Sequence, residues 1–265
     1  MDNLVCNELS TDSLTGLISG TNLCAIRKKC FLDNQLSSRL AQWFLNSDLT
    51  TPWLHEHYTN GSVIFVNYGV NRIGTPFNLT YGKGPDSEEK RKYYEDAPRI
   101  TSQIRAVCEP DEYPIDTVCT RLNELWPEGA KIAEFENKKM FAGIGRITMA
   151  DHKHSHQPHF DSLPAEFGLA RQFSINVYLS VPPSGGELEL WNYHPLSPEE
   201  ISKTDQDMDW RSKLPPSFFV SPEIGELIMF DTRRPHAVKN FDKGNRVTLQ
   251  VFLGYIPGKP LMLWS

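Results

Sequence analysis

Strand-like segments dominate the chain from residue 130 onward. The clearest spans residues 171–180, in which apolar and polar side chains alternate, as on a strand with two different faces. One face carries Phe173, Ile175, Val177 and Leu179, and the other carries Ser174, Asn176 and Tyr178. The further segments are 131–135, 140–149, 188–191, 217–220, 225–230, 236–241 and 246–256. About eight short strands predict a double-stranded β-helix, the jelly-roll or cupin-like barrel.

The two halves of the chain differ in character. Residues 1–129 are predicted to be mainly helical, with one early strand at 62–68, whereas residues 130–265 form the β-helix core. Within that core, residues 195–216 are polar, acidic and proline-containing, which indicates an insertion between strands that could act as a lid. We therefore predict one α+β domain over residues 1–265, in which N-terminal helices buttress the barrel.

The N-terminal helices are predicted from apolar periodicity. Residues 37–45 and 114–126 carry apolar side chains on one face of a helix. Residues 86–107 are charged at first and then amphipathic, and Pro98 predicts a break or a new start within that helix. Such faces are expected to pack against one side of a sheet.

Composition limits the classes of partner. A formal net charge of −6 argues against a general nucleic-acid-binding protein. The five cysteines are scattered and include no Cys-x-x-Cys pair, which is typical of reduced thiols in a cytoplasm. No signal peptide and no membrane-spanning apolar stretch is apparent. We expect a cytoplasmic protein that acts on a small molecule, with no nucleic-acid or membrane partner and an oligomeric state that the sequence does not indicate.

A histidine-rich segment at 152–161 is the main candidate for chemistry. Of its four histidines, only His159 has a carboxylate two residues on, at Asp161. Residues i and i+2 of a strand point to the same face, so both side chains can reach one metal ion. His236, 75 residues after Asp161, is a candidate third ligand. Two imidazoles and one carboxylate are the ligand set of non-haem Fe(II) oxygenases, which leaves positions open for a co-substrate and oxygen.

Together, His159-x-Asp161, His236 and Arg246-x-Thr248 resemble the signature of the Fe(II)/2-oxoglutarate-dependent oxygenase superfamily. The resemblance implies that the two histidines and the aspartate bind Fe(II). It also implies that Arg246 and Thr248 hold the distal carboxylate of 2-oxoglutarate, and that O2 is the second co-substrate. The implied reaction is hydroxylation of an unactivated C–H bond, with succinate and CO2 as co-products. Halogenases of this superfamily have a small residue in place of the carboxylate, so the intact Asp161 makes halogenation unexpected.

Two predictions about the barrel interior depend on that resemblance. If Arg246 points inward, its guanidinium needs an acidic partner, which is either the co-substrate or a structural salt bridge. If the polar face of segment 171–180 also points inward, Asn176 is a candidate to contact 2-oxoglutarate. The alternative is that this face meets solvent.

A looser resemblance concerns the substrate. The compact plan, the strand at 173–179, the Gly-Gly-Glu-Leu run at 185–188 and the helical N-terminal half look like the freestanding amino-acid hydroxylase and halogenase group. That likeness implies a free amino acid as substrate. Arg72 and His156 are then candidates to hold its head group, and Trp264 is a candidate to close over its side chain. The alternatives are a surface charge for Arg72 and core packing for Trp264.

Other functions fit the same motifs. A prolyl-hydroxylase-like enzyme would act on a peptide or protein and would need flexible flanking loops, which residues 195–216 could provide. A desaturase or cyclase would use the same iron site. A non-catalytic cupin-type binding protein is a third alternative, but it has no need for the 2-oxoglutarate anchor at Arg246.

Overall fold

The computed structural model describes residues 4–20, 22–59, 62–150, 157–204 and 209–265. Helices α1 to α5 run Thr11–Ser19, Asn34–Asn46, Glu88–Cys108, Pro114–Leu125 and Pro198–Ser202. Strands β1 to β15 run Val5–Cys6, Ala25–Lys28, Thr51–Thr59, Ser62–Ile73, Ala130–Ile132, Glu134–Phe135, Lys138–Lys139, Ile144–Met149, Arg171–Ser180, Leu188–Trp191, Ser217–Val220, Leu227–Asp231, His236–Val238, Asn245–Tyr255 and Leu261–Trp264. In the described part of the chain, no helix is long and apolar enough to cross a membrane.

Two sheets make the barrel. The large sheet has the strand order β1-β2-β12-β9-β14-β8-β4-β3, and β15 joins it by pairing with β14 and β5. The small sheet has the order β11-β10-β13. Tyr178, Ile228 and Phe230 of the large sheet share one apolar cluster with Leu190 and Phe218 of the small sheet, so the two sheets pack face to face. The predicted α+β class with a double-stranded β-helix is confirmed.

Helices cover the other face of the large sheet. Strand β14 buries Val247, Leu249 and Val251 on that side, in the same cluster as the α2 residues Leu40 and Phe44. Asp33 caps α2 by accepting the backbone N–H groups of residues 35 and 36, which satisfies donors that a helix start leaves free. The sheet meets α2 closely: a Cβ at Gly145 would lie 3.1 Å from the Phe44 ring. This buttress fixes the position of the strands that carry the site.

The prediction of a single early strand in residues 1–129 is wrong. Four strands, β1 to β4, precede residue 129. Strands β1 and β2 are two and four residues long, and β2 extends the large sheet by pairing with β12, a long-range contact with no local pattern. Strand β3 carries exposed Thr51, Pro52 and Leu54 at the sheet edge, so it lacks a continuous apolar face. Tertiary pairing therefore decides these elements.

The predicted break at Pro98 is also wrong, because α3 continues through it. Pro98 is exposed, so water can hydrate the carbonyl four residues earlier, which loses its helical partner. The buried side of the helix, with Tyr93, Ile100 and Ile104, is unaffected. Packing of that face holds the helix together across the proline.

The polar segment at 195–216 connects β10 to β11 and contains α5 and a short 3-10 turn, Trp210–Ser212. It is fastened to the small sheet, because Arg211 pairs with Glu189 of β10 at 2.7 Å. The ring of Trp210 packs edge-on against Phe160, with ring centroids 5.1 Å apart. Phe160 lies between His159 and Asp161, so this connection reaches the candidate metal site.

Candidate metal centre

His159, Asp161 and His236 come together as the sequence predicts. Their ligand atoms all lie within 4.8 Å of one another. His236 opens β13, and the segment before Asp161 runs antiparallel to it, with an N–H to carbonyl bond in each direction between His159 and His236, at 3.0 and 3.1 Å. The backbone N–H of Asp161 donates to the carbonyl of Thr232 at 2.9 Å. Backbone pairing with one neighbouring segment thus positions all three ligands.

The histidine tautomers follow from two matching contacts. The Nδ1 of His159 lies 3.1 Å from the carbonyl oxygen of Gln157. The Nδ1 of His236 lies 3.0 Å from the carbonyl oxygen of Arg234. A carbonyl oxygen can only accept, so each Nδ1 carries the proton and each Nε2 keeps its lone pair. Both rings therefore present Nε2 as the metal-binding atom, a choice that the sequence does not make.

The charges also suit a divalent metal. Burial alone would raise the pKa of Asp161, but the contact with His236 Nε2 at 3.4 Å and the charges of His159 and Arg146 hold it well below its ordinary range. His159 keeps an exposed surface, and its ring packs against that of His236, with ring centroids 4.2 Å apart. Burial and the neighbouring His236 lower the pKa of His159 to about 4. An ionised carboxylate and neutral imidazoles are the forms that bind metal.

The loop before His236 is held by arginines. Arg233 donates to the carbonyl oxygens of Leu169 and Ala170, both at 3.0 Å. Arg234 donates to the carbonyl oxygen of Gly20 and to Asn192 Oδ1, both at 3.1 Å. These bonds tie the loop to distant parts of the fold, so the direction of the His236 side chain is fixed before any metal binds.

A second set of polar groups lies on the inner face of β14. Arg246 donates to the Tyr178 hydroxyl at 2.9 Å and is 5% exposed, and Thr248 is fully buried. Among the described residues, neither Arg246 Nε nor Thr248 Oγ1 has a hydrogen-bond partner. Buried polar atoms are seldom left unpaired. A carboxylate would accept from both atoms, which fits the distal end of 2-oxoglutarate.

The family comparison agrees with this arrangement. Residues 145–254 match the model of the family described as the 2OG-Fe(II) oxygenase superfamily. The match covers the part of the chain that carries Arg146, the triad and Arg246. It indicates an Fe(II)/2-oxoglutarate-dependent dioxygenase, and Fe(II) and 2-oxoglutarate are the metal and co-substrate that the triad and the arginine anchor fit.

Individual relatives are distant. An N-substituted L-amino acid dioxygenase from Burkholderia ambifaria AMMD superposes with a TM-score of 0.64 at 13% identity, over 96% of this chain and 91% of that one. A second structure of such an enzyme from that organism, in complex with alpha-ketoglutarate, gives a TM-score of 0.59 at 11% identity, with the same coverage. The leucinostatins biosynthesis cluster protein S of Purpureocillium lilacinum is 25% identical, over 66% of this chain and 80% of that protein. The structural likenesses show the shared fold.

The polar face of β9 lies inside the barrel of this oxygenase, not in solvent. Ser174 Oγ accepts from Asn176 Nδ2 at 3.1 Å and from Gln250 Nε2 at 3.2 Å. Gln250 Oε1 in turn accepts from Arg146 Nη1 at 3.3 Å. Asn176 is therefore part of a buried chain of hydrogen bonds beside the anchor. Its direct contact with 2-oxoglutarate stays a prediction.

The three predicted substrate residues have different outcomes. Arg72 lies on β4, directly opposite Arg146 of β8, and so on the inner face of the sheet. Trp264 lies in β15, 2% exposed, packed on Phe252 and over Gly254. The core-packing alternative is thus the one that the structure shows for Trp264. His156 lies outside the described residues.

Sequence reasoning missed two residues near the iron ligands. Arg146 occupies β8 opposite Thr248, and its guanidinium lies over the Trp53 ring, 5.0 Å from the ring centroid. Burial, followed by the charge of Asp161, raises the pKa of Tyr81, which places its phenol in the electrostatic reach of that carboxylate. Alternation along β8 could have revealed Arg146, since it shares a face with Thr148. No local pattern points to Tyr81.

Proposed function

We propose that this oxygenase hydroxylates an unactivated C–H bond of a free amino acid or a similar small metabolite, with succinate and CO2 as co-products. The catalytic class rests on the family match. The substrate class draws support from the fold shared with an N-substituted L-amino acid dioxygenase and from the cationic inner face of the barrel.

One observation carries the proposal. Two Nε2 atoms and one carboxylate converge in a group within 4.8 Å, and unpartnered donors of Arg246 and Thr248 lie on the inner face of the same barrel. A metal-binding protein without catalysis needs only the first group. A dioxygenase that consumes a dicarboxylic co-substrate needs both.

Each residue has a definite task in this proposal. His159, Asp161 and His236 would hold Fe(II), which when bound supplies the activation of O2 at the expense of 2-oxoglutarate. Arg246 and Thr248 would hold the distal carboxylate, and Tyr178 keeps the Arg246 guanidinium in place by accepting its Nη2–H. Arg72 would hold a carboxylate of the substrate. The chain thereby fixes the target C–H bond relative to the metal.

The Trp210–Phe160 contact supports a small substrate. It joins the β10–β11 connection to the residue between two iron ligands. A connection fastened there limits access to the metal from that side. Such an arrangement suits a small molecule better than a groove for an extended peptide.

The test is a turnover assay. The protein, purified without oxygen, receives Fe(II), 2-oxoglutarate and a panel of free and N-substituted amino acids before exposure to air, and succinate and product masses are followed. We expect succinate together with the gain of one oxygen atom in one panel member. Loss of two hydrogens would redirect the chemistry to desaturation or cyclisation, and succinate without an amino-acid product would redirect the substrate to peptides or other metabolites.

A matched pair of histidine variants controls this assay. His236→Ala removes an iron ligand, whereas His194→Ala removes an exposed histidine outside the triad. We expect the first to lose succinate formation and the second to keep it. Absence of succinate from the unaltered protein with Fe(II) bound would contradict the proposed function.

A further inference from the structure

The inner face of the barrel carries a second cationic group that the 2-oxoglutarate anchor does not use. Arg72 of β4, Arg146 of β8 and Thr248 of β14 lie side by side in one row across neighbouring strands. Tyr178 of β9 completes the row. Directly opposite residues of adjacent strands have side chains on the same face. Arg72 and Arg146 are therefore neighbouring positions on the face of the sheet that carries the co-substrate anchor, and Arg72 Nη1 donates to the carbonyl oxygen of Gly74.

Among the described residues, neither of these arginines forms an ion pair with a carboxylate. Throughout residues 4–20, 22–59, 62–150, 157–204 and 209–265, no ion pair within 4.0 Å involves Arg72, Arg146 or Arg246. The Nε atoms of Arg72 and Arg146 are also buried with no hydrogen-bond partner in that part of the chain. A buried donor without a partner is costly. An anion bound beside these arginines would accept from the unpartnered atoms and offset that cost.

The surroundings keep Arg146 charged and aimed at the metal side. Trp53 supplies a ring face beneath its guanidinium, and Gln250 accepts one of its N–H groups. Burial and the charge of Arg246 lower the pKa of Arg146 to about 10, so it remains protonated at neutral pH. The charge of Arg146 in turn lowers the pKa of Asp161. Arg146 is thus within electrostatic reach of both the iron ligands and the co-substrate anchor.

We propose that Arg146, with Arg72 beside it, binds the carboxylate of the substrate, at a site separate from the Arg246–Thr248 anchor. This inference rests on the proposed function. Two fork-shaped guanidinium groups match the oxygen geometry of one carboxylate. Trp53 forms one wall of the site. Arg146 and Arg72 are specificity-determining residues in this assignment, since they select substrates that carry an acid group.

A charge count narrows the substrate further. Iron(II) and the dianion of 2-oxoglutarate cancel each other, and Asp161 cancels one of the three guanidinium groups. Asp96, which acts on Arg72, is itself paired with Arg99 at 2.6 Å. The described site therefore keeps an excess of positive charge. An acid without a free ammonium group, such as an N-acylated amino acid, relieves this excess, whereas a zwitterionic amino acid does not.

Binding without turnover tests the assignment. With Mn(II) and 2-oxoglutarate present and oxygen excluded, calorimetry measures the binding of three probe sets: N-acetyl amino acids, free amino acids and N-acetyl amino acid amides. We expect N-acetyl acids to bind, the free acids to bind more weakly and the amides to bind weakest. Amides that bind as tightly as the acids would overturn the proposal. Because no chemistry is required, this result does not depend on whether hydroxylation occurs.

Variants distinguish binding of the substrate carboxylate from binding of the distal carboxylate of 2-oxoglutarate. Arg146→Gln should weaken N-acetyl acid binding about 100-fold, as expected for loss of a buried charged partner, and leave the Kd of 2-oxoglutarate unchanged. Arg246→Gln should do the reverse. If Arg146→Gln instead weakens 2-oxoglutarate as much as Arg246→Gln does, Arg146 binds the co-substrate and the proposal is overturned.

Further measurements test whether Arg146 has a purely structural role. Arg146→Lys keeps the charge and should recover part of the affinity for N-acetyl acids. If Arg146→Gln does not fold, Arg72→Gln provides the second test, because it should weaken N-acetyl acid binding to a smaller extent. Arg105→Gln is the matched control, because Arg105 also lies over an aromatic ring, that of Tyr113, on the helical side of the molecule. Without ligands, Arg146→Gln should have an unchanged or higher Tm, since a like-charge neighbour is removed. A lower Tm together with unchanged probe affinity would show that Arg146 only supports the fold.

Discussion

The two faces of strand β14 are both buried but are built differently. Towards the helices, Val247, Leu249 and Val251 are completely shielded from solvent by apolar neighbours. Towards the barrel interior, Arg246 and Thr248 are nearly as buried, yet donors on both remain without partners among the described residues. One face stabilises the fold by itself. The other face is completed only when a ligand arrives.

The comparison shows that burial alone does not distinguish residues that stabilise the fold from residues that bind a ligand. The difference lies in whether the buried groups are satisfied by the protein. Apolar burial lowers the free energy of the folded state without a ligand. An unpartnered buried donor raises that free energy, and a ligand that accepts its hydrogen bond removes the penalty. Substitutions on the two faces should therefore affect different measurements.

The largest effect is expected for Arg246→Ala. Removing one partner of a buried charged pair costs about 3–5 kcal/mol, so the Kd of 2-oxoglutarate should rise on the order of 100-fold or more. Thermal stability without ligand should change little, because no ion pair of the described residues is lost. Anaerobic titration calorimetry with Mn(II) measures the Kd of 2-oxoglutarate, and thermal unfolding without ligand measures the Tm. Unchanged affinity would place the anchor elsewhere.

Leu249→Ala tests the opposite face of the same strand. Deleting a completely buried leucine side chain costs about 2–5 kcal/mol of unfolding free energy, and Leu249 is 0% exposed. Urea unfolding should show this loss, while the Kd of 2-oxoglutarate for the folded fraction stays within error of the unaltered protein. A change in affinity as large as that of Arg246→Ala would mean that the two faces are not separable.

Ser174→Ala sharpens the comparison within the polar face. Ser174 Oγ accepts from both Asn176 and Gln250, so its removal leaves two buried donors unpaired. An unsatisfied buried group costs about 1–3 kcal/mol, which should appear as lower stability in urea unfolding. We expect a smaller effect on 2-oxoglutarate affinity than on stability. The reverse order would indicate that Ser174 contacts the ligand.

The smallest effect on stability is expected for Thr248→Val, which removes a hydroxyl and keeps the shape. Thr248 Oγ1 has no partner among the described residues, so stability should be unchanged or slightly higher. One lost hydrogen bond to a charged group should weaken 2-oxoglutarate by about 1.5–3 kcal/mol, or at least tenfold. A stability loss with no change in affinity would contradict the distinction between the two faces.

The sequence predicts the β-helix core well because its signals are local. The alternation at residues 171–180 is observed as β9, and the proposed metal ligands follow from the two-residue spacing of His159 and Asp161 and from a histidine on a later strand. Arg246 and Thr248 share a face for the same reason. Local periodicity and spacing predict which of these side chains share a face, whereas their roles at the metal and the co-substrate come from the resemblance to the oxygenase signature.

The remainder depends on long-range pairing. Strand β2 pairs with β12, which lies far along the chain, and no pattern within the four residues of β2 indicates that pairing. Strands β3 and β4 flank an Asn60-Gly61 dipeptide in the sequence, and such a dipeptide favours the pairing of the two segments around it. The partnership of Arg72 with Arg146 exists only once β4 and β8 are aligned. Substrate-side residues therefore emerge from tertiary structure more than from motifs.

The central claim is that one face of the barrel holds a metal and a dicarboxylate. Crystals grown without oxygen with Mn(II) and 2-oxoglutarate test it most directly, through anomalous scattering from the metal. We predict a manganese peak bonded to Nε2 of His159, Nε2 of His236 and the Asp161 carboxylate, with the distal carboxylate of 2-oxoglutarate on Arg246 and Thr248. A metal bound elsewhere, or a distal carboxylate away from Arg246, would contradict the account.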